Sequence, residues 1–281
     1  MPDYVLGHTP AELKRLRRQH RLIGGFTRRL FVEAGIASCR RVLDVGCGAG
    51  DVTLLAAELV GPGGSVIGVD RETACLGLGR ERASAAGFSR VTFQAGDPAK
   101  LAFEAPFDAV VGRYVLLFQA DQAGWLRALA ALLRPGGLLV LHEPDFEGLA
   151  SHPPVPLYDQ CCHWVQQAFA RAGTPVVMAS RLHGLFRAAG LPAPQMRLET
   201  ALGGSSGGGA WLEALADLAG SLAPAIESAG LASAASLDPH SLAARLRQSV
   251  EDHDAVVIGR SEVGAWCRLP VTDSALTAQS P

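Results

Sequence analysis

The stretch Val42-Leu43-Asp44-Val45-Gly46-Cys47-Gly48-Ala49-Gly50 has the residue types of a ligand-binding turn: a short apolar run, then D-x-G-x-G-x-G, then a segment with helical pattern. Glycines permit positive φ and let a ligand approach bare backbone. The N-terminus of the helix beyond offers unpaired N–H groups to a carboxylate or phosphate. The main competitor is the dinucleotide fingerprint G-x-G-x-x-G. Counted from Gly46 its third glycine falls on Asp51, and counted from Gly48 it falls on Thr53. Both fail, and the Asp51 carboxylate would repel a pyrophosphate at the helix start. Two further carboxylates close the next apolar runs. Asp70 ends Val66-Ile67-Gly68-Val69-Asp70, 20 residues past Gly50, where an acidic side chain can accept from ribose hydroxyls. Asp97, in Gly96-Asp97-Pro98, can accept from the exocyclic amine of adenine. Each aspartate alone is commonly a helix cap or turn residue. Three such features at the ends of three successive strands point instead to a nucleoside ligand without phosphates, and adenosylmethionine meets that description.

Residues 41–146 resemble the class I S-adenosylmethionine-dependent methyltransferase domain, in the type 11/25 group of bacterial small-molecule enzymes. The stretches that carry the resemblance are VLDVGCGAGDVT, VIGVDRE, FQAGDPAKLAF, FDAVVGRYVLLF and LRPGGLLVLHEPDF. It implies S-adenosylmethionine as cofactor and S-adenosylhomocysteine as product. It implies that Asp44, Gly46, Cys47, Gly48 and Gly50 surround the methionine portion, that Asp70 and Arg71 meet the ribose and adenine edge, and that Asp97 and Pro98, with Gly96, meet the adenine. Arg113 and Leu116 would lie beneath the sulfonium. The segment from Tyr4 through Arg15 and Gln19 is similar to the leading segment that folds over the cofactor in these enzymes, so Tyr4 and Gln19 are expected there.

Methyl transfer from a sulfonium is an in-line displacement, for which alignment and proximity can supply most of the rate. A base is needed only where the nucleophile must first lose a proton. His142 and Glu143, at the end of the fifth apolar run, are the candidate catalytic residues. A histidine titrates near neutrality and suits a base; the competing reading is a residue that simply finishes a buried strand. Glu143 could orient a donor or cap the loop. For His163 and His183 a structural role is favoured, for Trp164, Phe169 and Trp211 core packing. Nothing near Cys161-Cys162 marks an activated thiol. After the fourth strand Gly112-Arg113-Tyr114 replaces the Asn/Asp-Pro-Pro-aromatic turn of amino-group methylases, and no Pro-Cys element for cytosine methylation or carboxylate cluster for a divalent metal is found. The reading that survives is O-, N- or C-methylation of a small organic acceptor, by analogy a secondary metabolite. A cyclase or decarboxylase on the same cofactor-binding fold is the alternative. A nicotinamide dehydrogenase is disfavoured by the glycine spacing, and a pure binding module by the intact loop with Asp70 and Asp97.

The elements that must position these residues follow from periodicity. Residues 11–36 read as helical, capped by Thr9 with Pro10 and Glu12 in the first turn, and Gly24-Gly25 is expected to break them into two helices. Strands are expected at Arg41 to Val45, Ser65 to Val69, Val91 to Ala95, Phe107 to Val111 and Leu138 to His142. Helices are expected between them at Asp51 to Val60, Thr73 to Ala86 and Asp121 to Leu133. Alternation of apolar strands with helices predicts a parallel sheet covered on both faces. The expected fold is α/β: a doubly wound, Rossmann-like, seven-stranded, mostly parallel sheet with N-terminal helices and a lid insertion after strand 5. Its ligand crevice lies at the carboxyl ends of the strands. Residues 1–36 would form a cap over the cofactor, 37–143 the cofactor-binding core, and 144–180 the lid, with a helix from Leu157 to Ala172. Residues 181–271 would return to the sheet, with a helix from Leu182 to Ala189, a strand from Gln195 to Leu202, helices near 210–229 and 238–252, and a last strand, Ala255 to Gly259 with Val263 to Leu269, broken by a bulge at Arg260-Ser261. Residues 272–281 would be a tail.

The 281 residues are 48% hydrophobic and carry 25 Lys plus Arg against 27 Asp plus Glu. A nearly balanced chain lacks the broad positive field of a nucleic-acid binder, so a small-molecule acceptor is expected and no nucleic acid. No apolar run of about 18 residues suggests a membrane span, and no signal peptide is visible. Six cysteines without a CxxC pair fit neither a zinc site nor a disulfide framework, and a cytoplasmic location is expected. A homodimer stays open.

Overall fold

The computed structural model describes residues 10–271; Tyr4, the Thr9 cap and the tail from Thr272 lie outside them. Helix α1 (Pro10–Ala34) leads into β1 (Arg41–Val45), α2 (Asp51–Val60), β2 (Ser65–Asp70), α3 (Thr73–Ala85), β3 (Val91–Ala95), β4 (Phe107–Arg113), α4 (Gln122–Ala130) and β5 (Leu133–Asp145). Then come β6 (Ala150–His152), α5 (Pro156–Arg171), α6 (Ala179–Ala188), β7 (Gln195–Gly203), α7 (Gly209–Ser221), α8 (Ala223–Ser228), α9 (Pro239–Asp252) and β8 (Val256–Arg268).

The sheet has the order β3-β2-β1-β4-β5-β8-β6, with β7 also paired to β8. Strands β3, β2, β1, β4 and β5 run parallel, while β8 is antiparallel to β5, β6 and β7. Order reverses between β1 and β4, so the crevice at their carboxyl ends is the place for a ligand. Because side chains alternate along a strand, the sheet has two buried faces. Val42, Val66, Val111, Val140 and Trp266 pack with α1 and α2. Leu43, Val110, Leu139, Leu141 and Ala265 pack with α4 and α6. A further core unites α5, α7 and α9 through Tyr158, Trp164, Phe169, Trp211, Leu215 and Leu246.

Five expectations are corrected. First, Gly24-Gly25 does not break α1. Ile23, Phe26, Leu30 and Phe31 are buried along the helix, and that burial outweighs a cost of about 1 kcal/mol per glycine. The sheet makes room for it: a Cβ on Gly264 would lie 2.4 Å from Leu30 Cδ1. Second, the fourth helix stops at Ala130 and β5 begins at Leu133, which pairs with Phe107 before the register shifts and resumes at Ala109 with Leu138. The Arg134-Pro135-Gly136-Gly137 turn is absorbed in that irregularity. Third, β8 is one strand rather than two, and it carries the expected bulge one residue earlier: Thr200 pairs with Ser261 and Leu202 with Ile258, so Gly259 and Arg260 together face Ala201. The polar pair suggested an interruption, but Arg260, Ser261 and Glu262 are all buried. Fourth, the sheet has eight strands among the described residues; the eighth is β6, three residues within the 144–180 stretch. Fifth, the helix expected near 210–229 is two, with Pro224 opening the second.

Among the described residues no helix is long and apolar enough to cross a membrane.

Candidate active site

The loop after β1 opens onto a cavity of about 400 Å³ at the carboxyl ends of the strands, lined there by Gly46, Cys47, Gly48 and Ala49. Gly46 has φ +66°, and a Cβ on it would stand 2.2 Å from Val115 Cγ1, so both conformation and space require glycine. The Asp70 carboxylate braces this loop: Gly48 N–H donates to Oδ2 at 2.8 Å and Glu72 N–H to Oδ1 at 2.9 Å. Each oxygen keeps lone-pair capacity, and Asp70 lines the cavity with Arg71, Gly96 and Pro98. From α1, Gln19 lines the opposite wall and accepts from Arg15 Nη1 at 2.8 Å.

Asp44 lies beneath the loop, outside the lining. Thr53 Oγ1, on α2, donates to its Oδ2 at 2.6 Å. Its Oδ1 is buried with no partner among the described residues. Burial pushes the Asp44 carboxyl up to about 7, against the Thr53 hydrogen bond. Gly50 is also outside the lining; with φ +87° it is the left-handed cap of α2. Asp97 is outside it too, its Oδ2 held by Arg71 at 2.8 Å and its Oδ1 by Ala99 N–H at 3.1 Å. Leu116 is fully buried beside the cavity, and its neighbours Val115 and Leu117 form the wall in its place. Arg113 lines the cavity and binds His20 Nδ1 at 3.2 Å and Thr27 Oγ1 at 3.3 Å.

The two candidate bases are corrected by their surroundings. His142 is wholly buried on the α1 face of the sheet, between the rings of Phe26 and Tyr114 at 4.7 and 5.3 Å. Its Nδ1 meets Thr27 Oγ1 at 3.1 Å and its Nε2 meets Glu262 Oε2 at 2.8 Å. Burial holds its pKa below the ordinary imidazole value, against the pull of Glu262. Glu143, on the other face, is a turn cap: Val115 and Leu116 donate their N–H groups to Oε1 at 3.1 and 2.8 Å, and Leu117 donates to Oε2 at 3.4 Å. Burial pushes it up to about 7 despite these bonds. Neither residue lines the cavity. His163 and His183 are exposed on their helices. Phe169 lines the cavity, whereas Trp211 is buried beside it with its indole N–H on Tyr158 Oη at 2.9 Å.

The reading of the sequence missed a cluster deep in the cavity. Arg260 donates from Nε and Nη2 to Glu262 Oε1 at 3.0 and 2.8 Å, and from Nη2 to Tyr114 Oη at 2.7 Å. Tyr114 Oη donates to Glu262 Oε2. Burial alone would raise the Glu262 carboxyl, but the Arg260 charge and the His142 and Tyr114 hydrogen bonds hold it down to about 2. Burial pushes the Tyr114 phenol well above its ordinary value, so it stays protonated. Tyr114 itself has φ 59°, an uncommon backbone for a non-glycine residue at the end of a strand. The available signal was two polar residues at period two, Arg260 and Glu262, within an otherwise apolar strand.

Comparisons with known proteins agree with this architecture. Residues 36–190 match the family model described as a methyltransferase domain. A demethylmenaquinone methyltransferase of Staphylococcus aureus is 32% identical over 143 residues, covering 50% of this chain and 55% of the relative. The chain thus spans about half the length of the curated relatives it matches. Among solved structures, the cyclase SpnF superposes with a TM-score of 0.54 at 22% identity, covering 88% of this chain and 81% of that one. An S-adenosylmethionine-dependent methyltransferase from Aquifex aeolicus superposes with a TM-score of 0.50 at 18% identity, covering 69% and 93%. At such identities these two likenesses are of fold alone.

Proposed function

The chain belongs to the class I S-adenosylmethionine-dependent methyltransferase family, and from that premise we propose that it methylates a small organic acceptor. The observation that carries this reading is one continuous cavity. Its outer part is the glycine loop with Asp70, and its inner part is a largely apolar chamber walled by Tyr114, Phe118, Trp125, Phe146 and Phe169.

The residues present fit the cofactor. The Gly46–Ala49 backbone would border its methionine portion, and the spare lone pairs of Asp70 suit ribose hydroxyls. The orphaned Asp44 Oδ1 leaves acceptor capacity beneath the loop for an ammonium group. Bound there, S-adenosylmethionine supplies an electrophilic methyl on sulfur. The chain's part is alignment and exclusion of water, the terms from which such a displacement gains most. The cavity's carboxylates, Asp51, Asp70 and Glu72, all belong to the cofactor end, and no imidazole lines it among the described residues. Tyr114 is held as a phenol that donates to Glu262. Among the described residues the chamber thus offers no general base, which favours an acceptor that ionises on its own or needs no deprotonation.

The demethylmenaquinone relative matches over half of this chain, and its acceptor is not transferred here. A small-molecule partner rather than nucleic acid fits the balanced charge, and a cytoplasmic location fits six free cysteines, all buried. The test is incubation with methyl-labelled S-adenosylmethionine and a panel of phenols, carboxylates and amines. Label in the acceptor, with one S-adenosylhomocysteine released per methyl, is expected. An acceptor transformed without S-adenosylhomocysteine would favour a non-methylating enzyme on this fold.

A further inference from the structure

We propose that Arg260 anchors a carboxylate of the acceptor, which it presents on a flat apolar body to the cofactor end of the cavity. The proposal rests on the methyltransferase reading for the word acceptor, but its physical basis is separate. Arg260 is 6% exposed, yet it lines the cavity. Its Nε and Nη2 are spent on Glu262 and Tyr114. Its Nη1 has no partner among the described residues. It is not among the sealed unpartnered atoms, so it opens on the cavity, where water or a ligand can accept from it.

The guanidinium is also held in advance of any ligand. Glu262 takes Nε and Nη2 on a single oxygen and is itself fixed by His142, which Thr27 fixes in turn. The guanidinium carbon lies 5.1, 5.6 and 5.7 Å from the ring centres of Tyr114, Phe146 and Trp211. With Nε and Nη2 held, Nη1 is left as a fixed, charged donor for a carboxylate oxygen. Arg260 itself sits in a bulge of β8, where Gly259 and Arg260 together face Ala201 of β7, and bulges re-aim side chains next to sites.

Charge points the same way. Glu262 balances Arg260, while Arg113, lining the same cavity, hydrogen-bonds to Thr27 and to a histidine whose pKa burial lowers and has Asp44 as its electrostatic partner. An entering anion would find a cation on either side of Tyr114. The Phe146 and Phe169 rings nearby would cover the apolar part of the same molecule.

The test uses the full chain saturated with S-adenosylhomocysteine and two probes of one shape, 1-naphthoate and 1-naphthamide, titrated by calorimetry. Naphthoate is expected to bind about tenfold or more tightly than the amide, as a charge-assisted pair should. In the doubly neutral variant Arg260→Gln/Glu262→Gln that preference should disappear, with S-adenosylhomocysteine affinity kept. If that variant does not fold, Arg260→Lys carries the test: it keeps the charge, loses the Nη1 donor that Glu262 and Tyr114 hold in place, and should lose most of the preference. Equal binding of the two probes by the native chain, no naphthoate binding, or a preference that survives in the folded variant would overturn the proposal. Should S-adenosylhomocysteine itself not bind, the cofactor reading fails instead, and the same titration of the ligand-free chain still decides the role of Arg260.

Discussion

Replacing Gly46 with alanine separates the two reasons for glycine at the cofactor loop. The residue sits at φ +66°, and a Cβ there would stand 2.2 Å from Val115 Cγ1. The left-handed backbone alone costs alanine about 1–2 kcal/mol. The overlap needs Val115 to retreat by roughly an ångström, and overpacking of this kind costs about 1–3 kcal/mol. Val115 is not free to yield, because it is β-branched and its N–H is tied to Glu143 Oε1 at 3.1 Å. The sum is about 2–5 kcal/mol for Gly46→Ala. Gly48 is the control: its φ is +52°, and its Cβ would have nothing within 4 Å. Gly48→Ala should lose only the backbone part, about 1–2 kcal/mol, while its new methyl enters the cavity and weakens S-adenosylhomocysteine. Urea unfolding and calorimetry on both variants measure the two effects. Equal stability of the two, within about 0.5 kcal/mol, would refute the clash.

Other perturbations address single residues. Asp70→Asn should weaken S-adenosylhomocysteine at least tenfold by calorimetry, since it removes charge-assisted bonds of about 1.5–3 kcal/mol each that order Gly48. The affinity of the native chain should rise from about pH 6 to pH 8. Asp44 titrates near 7 when the site is free, and the ligand's ammonium favours the ionised carboxylate, so below that pH binding must first expel a proton. Asp44→Asn should flatten this profile. His142→Gln should cost about 1–3 kcal/mol in urea unfolding through lost bonds to Thr27 and Glu262, yet leave the pH profile of methyl transfer unchanged; disappearance of an ionisation from that profile would restore His142 as a base.

The cofactor half was legible because its signals are local. β1, α2 and β3 end where glycine, proline and apolar periodicity place them, and the loop's spacing names its own ligand class. The acceptor half was not, because its determinants are long-range. Arg260 and Glu262 meet Tyr114 only after β8 pairs beside β5, and no spacing within the chain announces that contact. His142 and Glu143 lie at the expected strand end, but no spacing shows that Thr27 and Glu262 take up the one and the turn after β4 the other. Gly24-Gly25 misled for the same reason: a helix break is a local preference, and Leu30 packing on Gly264 is a tertiary one.

The most direct measurement is calorimetry of the full chain with S-adenosylhomocysteine and, separately, with NADH. Saturable binding of S-adenosylhomocysteine, one per chain, and none of NADH is expected from a loop whose third dinucleotide glycine is replaced by Asp51. Binding of NADH without S-adenosylhomocysteine would contradict it.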